Sequence, residues 1–365
     1  MATAIRRSAV YAGVALAMGV GGSQLDAQQV TSNRVYPSNQ VVITGYGTVG
    51  YGIRTQGQND NAFNSSISPV FLFQFEDRIL FEAEFEFALR EGVTETGLEY
   101  AQLDFIASDN LILVGGKFLL PFGVFGERLH PTWINKFATA PPIFGHHVSS
   151  FGAEPLLPIL ADLGVMARGV ISAGSAQLGL NVYAVQGPMA EDDTAAIPEL
   201  EFPASSGDNN TSKTLGGRLD VALHPWIEAN LSFLNGDYDE ENVLDFTAWN
   251  VAAELHVARF ELRGEYVQTR QEVETLSGFP SLVRDGFYAQ AAYRFGPWEP
   301  VLRWTQVFDS DLDGALQDEG AWQAALGLDY WFNPSIAVMG AYEINREDGA
   351  ELDNDRFVVH VAFGF

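Results

Sequence analysis

Apolar and polar residues alternate along most of this chain in runs of about ten residues, each closed by a turn. The last run shows the device plainly: Phe357, Val359, Val361, Phe363 and Phe365 alternate with Val358, His360, Ala362 and Gly364. Successive side chains of a strand point to opposite faces, so such a run offers one apolar face and one face suited to a different environment. Elsewhere Phe81, Ala83, Phe85 and Phe87 alternate with Glu82, Glu84 and Glu86, and Leu215, Gly217, Leu219 and Val221 with Gly216, Arg218 and Asp220. Phe287, Ala289, Ala291 and Tyr293 alternate with Tyr288, Gln290 and Ala292. Tight turns fall at Asp77-Arg78, Ser108-Asp109-Asn110, Ala173-Gly174-Ser175, His224-Pro225, Ala258-Arg259, Gly296-Pro297 and Asn333-Pro334, with longer acidic or Gly/Asn-rich connections between them. Seven such turns predict eight hairpins, hence about sixteen strands. Glutamates at every second position cannot face lipid, so the rhythm predicts an all-β transmembrane antiparallel up-and-down β-barrel, apolar outside and polar inside.

The start of the chain supports export. Arg6 and Arg7, the small apolar stretch Ala9 to Val20, and Leu25-Asp26-Ala27 read as a signal peptide over 1–27. The remainder, 28–365, reads as one domain, and its net charge moves from −27 to −28 because two Arg and one Asp leave with the signal. No later stretch of about 18 apolar residues predicts a helical span, which leaves a closed barrel as the membrane-crossing solution. A mean hydropathy of +0.02 suits two faces that cancel. With no Cys, disulfide and thiolate-metal chemistry are excluded. The acidic balance excludes nucleic acid as a partner and favours cations. Trp226, Trp249, Trp298, Trp304, Trp322 and Trp331 lie in or beside predicted strands, where girdles of aromatics at the two membrane interfaces are expected.

One connection is far longer than the rest, about Leu119 to Pro158. A loop of this length is functional or disordered, and Phe122, Phe125, Trp133, Ile134, Phe137, Ile143, Phe144 and Phe151 give it apolar mass to pack. It carries Arg128, His130, Lys136, His146 and His147, with Lys117 at the end of the strand before it. Predicted inner faces carry Glu82, Glu84, Glu86 and Asp104. Cations on an inserted loop facing wall carboxylates would set a transverse field across a narrow opening, so Lys117, Arg128, His130 and Lys136 with Glu82, Glu84, Glu86 and Asp104 are the predicted pore constriction. The competing reading is that the loop charges pair locally and anchor the loop. Arg168, Arg218, Arg263, Arg294 and Arg303 fall at predicted lumen-lining positions, with Asp220, Glu261, Glu265 and Glu299 as neutralising neighbours.

Strand rhythm, export signal and terminal Phe365 together resemble the bacterial outer-membrane porins of the sixteen-stranded type, over nearly all of the mature chain. Gly116-Lys117-Phe118-Leu119-Leu120-Pro121-Phe122-Gly123 is similar to the phosphate-selective branch, where a Gly-Lys strand end precedes a Pro-Phe-Gly turn. The chain departs from that branch in holding only three lysines, Lys117, Lys136 and Lys213. The resemblance implies passive diffusion of ions and small polar solutes through a water-filled barrel narrowed by the long loop. It also implies outer-membrane lipid and lipopolysaccharide as surroundings, periplasmic termini, a homotrimer, and an assembly signal in Phe357, Phe363 and Phe365 for the barrel assembly machinery. Two other readings stand beside it. One is a substrate-specific porin for phosphate, an organic anion or a carbohydrate, with Trp133 and Phe137 stacking on the solute. The other is a non-conducting barrel, plugged by the loop or adhesive through acidic outer loops.

Weaker signals point elsewhere. Asp309-Ser-Asp311-Leu-Asp313-Gly314 begins like a calcium loop but has Gly320 where the bidentate Glu belongs. His146-His147 has no zinc spacing, so no metal and no cofactor are expected. Ser149 or Ser150 beside His146 is the best serine-histidine proximity, without a nucleophile elbow, so no enzyme is expected.

Overall fold

The computed structural model describes residues 39–54, 62–90, 93–145, 151–190, 197–203, 207–276 and 278–365. Sixteen long strands form one closed sheet: β1 (Gln40–Arg54), β2 (Ala62–Phe75), β3 (Ile79–Arg90), β4 (Val93–Ser108), β5 (Leu111–Leu119), β6 (Ala161–Ala173), β7 (Ala176–Val185) and β8 (Thr214–His224). They continue as β9 (Ile227–Asp237), β10 (Asp245–Val257), β11 (Phe260–Glu272), β12 (Ser281–Tyr293), β13 (Trp298–Val307), β14 (Ala321–Asn333), β15 (Ile336–Glu347) and β16 (Arg356–Gly364). Each pairs antiparallel with its chain neighbours, and β16 returns to β1 with Tyr46 opposite Gly364 and Arg54 opposite Arg356. The seven tight turns read from the sequence all join an even-numbered strand to the next, so they share one end of the barrel. The other end carries the connections that follow odd-numbered strands, the longest of them between Leu119 of β5 and Ala161 of β6.

Closure has a local cause. Phe365 exchanges backbone hydrogen bonds with Gly45, at 2.9 and 3.1 Å, and the Thr44 hydroxyl donates to its carbonyl. A Cβ on Gly45 or Gly47 would run into the rings of Phe365 and Phe363, so these glycines let the terminal aromatics lie flat across the seam. Outside, the barrel is a continuous apolar belt from β1 to β16, including Leu215, Leu231, Leu302, Leu326 and Phe357. Trp226 and Trp298 mark its short-turn end, where Trp298 packs edge-on against Tyr330. At the long-loop end Trp249 leans on Tyr266, and Trp304 stacks on Trp322. Trp331 differs from the girdle expectation: it points inward and is 6% exposed, with Arg294 over its ring and its Nε1 donating to Glu299.

The core lies within the lumen. A barrel one sheet thick has no second layer of its own, and here the connection between β5 and β6 supplies one. Phe118, Phe122, Phe125, Ile143, Phe144 and Phe151 pack with inward residues of β5 to β14, among them Tyr183, Leu234, Val267 and Tyr288. Phe137 and Ala138 join a second cluster with inward residues of β12 to β16. From the long-loop end, Phe202 of the connection after β7 packs on Phe246 and closes over the first cluster.

Candidate functional site

The loop leaves β5 at Leu119, and its neck is closed by a hydrogen bond from Leu120 N to Leu160 O. Its first turn is Pro121-Phe122-Gly123, with Gly123 in the left-handed region at φ +64°. A side chain there would collide with Glu265 and Asn250, so glycine is needed for the backbone to approach the wall. Gly123 N donates to Ser232 Oγ (2.9 Å), while its carbonyl accepts from Arg218 (2.9 Å). Glu265 then receives the next two amides: Val124 N reaches Oε2 at 2.9 Å and Phe125 N reaches Oε1 at 2.7 Å. Asn250 and Tyr288 complete the socket by donating to the same carboxylate.

A wide helical turn, Phe125–Leu129, and a single α-turn, Thr132–Asn135, carry the loop across the lumen. Phe125 stacks on Phe144 at 5.2 Å between ring centres, with Tyr288 edge-on to both. Farther along, the Asn135 carbonyl accepts from Arg263 and from Gln290, and the Thr139 carbonyl from Arg303 (2.7 Å). The Arg303 guanidinium also covers the Phe137 ring at 4.2 Å, which leaves that ring unavailable for stacking on a solute. Backbone carbonyls inside a barrel need donors, and wall arginines supply them here.

Ion pairs follow the same pattern. Glu127 lies between Arg218 (2.6 Å), Arg168 (3.0 Å) and Arg128 (3.9 Å). Arg128 extends to Asp220 (3.1 Å) and Glu228 (2.5 Å), and Lys136 to Glu261 (2.6 Å) and Glu299 (3.3 Å). Burial by itself would raise the Glu127 carboxyl, but the three guanidinium groups hold it down at about 2. His130 is the loop's contact with the far wall: its Nε2 lies 3.0 Å from the Tyr46 hydroxyl, which donates to Glu84 (2.5 Å). Burial lowers the His130 ring to about 4, against a smaller opposing effect of its hydrogen bond with the Gly126 carbonyl.

Both shifts make loop docking acid-sensitive, in separate windows. A detached loop would expose His130, which then binds its proton near pH 6.5, so docking weakens as pH falls from about 6.5 towards 4. Glu127, held low, contributes fully above its free value of 4.5 and loses that contribution as pH falls towards 2. Hydrogen exchange of the loop amides between pH 7 and 3 is expected to show the first step, and His130→Gln to remove it; an unchanged profile in that variant would refute the assignment.

The five wall arginines all sit inside as the alternation predicts, and Arg218 and Arg263 pair with Asp220 (2.8 Å) and Glu261 (3.3 Å). The bonds of Arg218, Arg263 and Arg303 to loop carbonyls have no local sequence signal. Arg128, His130 and Lys136 are on the inserted loop, but the carboxylates that hold Arg128 and Lys136 belong to β8, β9, β11 and β13 rather than to β3 and β4. Glu82, Glu84, Glu86 and Asp104 share the inner face of β3 and β4. Lys117 is a correction. The pleat turns Val114 and Phe118 inward, so Lys117 shares the outer face with Leu113, and its Nζ donates to the Leu98 carbonyl (2.5 Å). Counting on from Leu111 with period two predicts this parity. Residues His146, His147, Ser149 and Ser150 lie outside the described residues. In the Asp309 to Gly314 segment, Asp311 accepts from Gly314 N and Asp309 from Gly320 N, as turn-forming side chains do.

No family model and no curated protein matches the chain. Solved structures do. The outer-membrane channel DcaP of Acinetobacter baumannii aligns with a TM-score of 0.60 over 90% of this chain and 98% of its own, at 14% identity. A trimer form of OmpT from Vibrio cholerae aligns at 0.58 over 90% and 100%, at 11% identity. The anion-selective porin from Comamonas acidovorans aligns at 0.56 over 90% and 100%, at 13% identity. The fold is that of the sixteen-stranded outer-membrane porins. Within this porin fold the loop between β5 and β6 is the element that enters the lumen, and the Pro-Phe-Gly turn is its docking point. Wall residues dock that turn without phosphate or lysine: Ser232 and Arg218 take the amide and carbonyl of Gly123, and Glu265 the amide of Val124 that follows.

Proposed function

We propose that the chain is an outer-membrane porin through which ions and small polar solutes diffuse passively, with a preference for cations. The carrying observation is where the loop leaves room and what charge lines that space. Its apolar clusters take in wall residues from β5 to β16 and none from β1 to β4. In this reading the path runs along the inner face of β1 to β4 past Glu82 and Asp104, and the His130 contact with Tyr46 and Glu84 bounds it. Across from them the loop cations are already engaged, Arg128 with two carboxylates and Lys136 with two more. Surplus negative charge beside a narrow aqueous path raises cation concentration and lowers that of anions. In this proposal the wall carboxylates and the loop form the constriction, while the loop cations serve mainly as anchors.

Export through the signal at 1–27, recognition of Phe357, Phe363 and Phe365 by assembly machinery, and contact with lipid and lipopolysaccharide belong to the same proposal. So does a homotrimer, which the trimer form of the Vibrio cholerae protein supports by analogy of fold. A catalytic role is not part of it. The test is single-channel recording of refolded protein in a planar bilayer under a salt gradient. Stepwise conductance with a cation-selective reversal potential is expected. An anion-selective potential would overturn the carboxylate filter, and a folded barrel without conductance would overturn the channel.

A further inference from the structure

The inner face of a wet barrel carries polar side chains, yet at the short-turn mouth of this lumen five neighbouring inward positions are aliphatic. Val42 lies opposite Leu72, Leu72 opposite Glu82, Leu80 opposite Asp104, and Ile106 opposite Ile112. Together Val42, Leu72, Leu80, Ile106 and Ile112 line a recess of about 140 Å³, with Asp104 at its inner end. Val42 remains 48% exposed and Leu72, Leu80 and Ile106 are half-buried, so the apolar wall is open to the mouth, while Ile112 at its edge packs against the first cluster.

Charge at the inner end is one-sided. Asp104 is 2% exposed and accepts from Gln102 (2.8 Å). Its diagonal neighbour Glu82 is 9% exposed, and Glu82 Oε1 has no hydrogen-bond partner among the described residues. Arg168, the cation whose field reaches both, is bonded to Glu127 (3.0 Å) and Asn181 (3.1 Å). At the rim Asp77 and Arg78 carry opposite signs and cancel.

We propose that this recess binds aliphatic primary ammonium ions, the alkyl chain against the five aliphatic residues and the ammonium donating to Glu82 and Asp104. The chemistry excludes the obvious competitors. An inorganic cation gains nothing from the aliphatic wall, and a fatty acid would bring a third carboxylate to two. Each methylene taken fully out of water contributes about fourfold in affinity. The proposal relies on the porin reading only for the route by which the ligand arrives.

The test uses n-alkylammonium chlorides, from methyl to hexyl, added to the short-turn side of full-length protein in planar bilayers. Block of the potassium current is expected to strengthen severalfold per added methylene and to level off once the recess is filled. Asp104→Asn is expected to weaken block by every member of the series. Leu72→Ser with Ile106→Ser is expected to flatten the chain-length dependence, and Val42→Ser, at a half-exposed position that the fold tolerates, to reduce it. Chain-length dependence that is absent, or unchanged in these variants, overturns the site. Calorimetric titration of hexylammonium into nanodisc-embedded protein, against empty nanodiscs, separates the two readings. Heat that disappears in Val42→Ser upholds the site even if no current is ever seen, and its absence from the unmodified protein overturns it. Binding that emerges only after removal of 28–38 would assign the recess to the chain's own N-terminal segment and also overturn the proposal.

Discussion

Replacing Glu265 by alanine is expected to release the loop inside the barrel while leaving the barrel folded. The Glu265 side chain is 3% exposed and accepts four hydrogen bonds, from Val124 N, Phe125 N, Asn250 and Tyr288. Asn250 and Tyr288 can turn towards water once the carboxylate is gone, but the two loop amides are fixed by the turn. Each buried donor left without a partner costs about 1–3 kcal/mol. Docking of the first turn therefore weakens by roughly 2–6 kcal/mol, a factor of about 30 or more in the docked-to-free ratio. The sheet itself loses no ladder bond, because Glu265 contributes to it only through its backbone, paired with Ala252 and Tyr288. Unitary conductance is expected to rise and become noisy, with an unchanged far-UV circular dichroism spectrum. Glu265→Gln, whose amide keeps one acceptor oxygen and adds a donor facing donors, is expected to fall between. An alanine variant with the conductance and noise of the parent would show that this loop does not limit flow.

The second large effect concerns selectivity. Glu82→Gln combined with Asp104→Asn is expected to bring the potassium-to-chloride permeability ratio down severalfold, towards parity, at low salt. Both side chains are inward on adjacent strands, and among the described residues neither pairs with a loop cation. The shift should shrink in about 1 M salt, where the Debye length falls to about 3 Å. Neutralising Arg128 is the control. Its charge is already matched by Asp220 and Glu228, so Arg128→Gln is expected to loosen the loop with little change in the sign of selectivity. If Arg128→Gln moved the reversal potential and the carboxylate pair did not, the filter would belong to the loop cations.

These two experiments fall on opposite sides of what could be read in advance. Glu82 and Asp104 were visible in the alternation as inward carboxylates, because a charge in every second position has only the lumen to face. Glu265 was visible only as an inward acid. Its role as a socket depends on Val124 and Phe125, which lie about 140 residues earlier in the chain. The partners of Arg128 and Lys136 were out of reach for the same reason: sequence shows that both signs are present but not which wall the loop leans on, and so not that Asp220, Glu228, Glu261 and Glu299 would hold them. Lys117 was misplaced by its neighbourhood, since a cation beside the loop suggested the lumen while the pleat directs it outward.

What the sequence by itself determined is the barrel: sixteen strands, seven tight turns at one end and a terminal aromatic strand closing on the first. Each of these is local, because a strand between lipid and water repeats every two residues and a turn is made by the residues in it. Only the tertiary structure decided where the loop docks, which charges it consumes and which wall it leaves free. Those outcomes depend on side chains meeting across a lumen, where partners are chosen by shape and by the need to satisfy every buried polar group, and no local period records that choice.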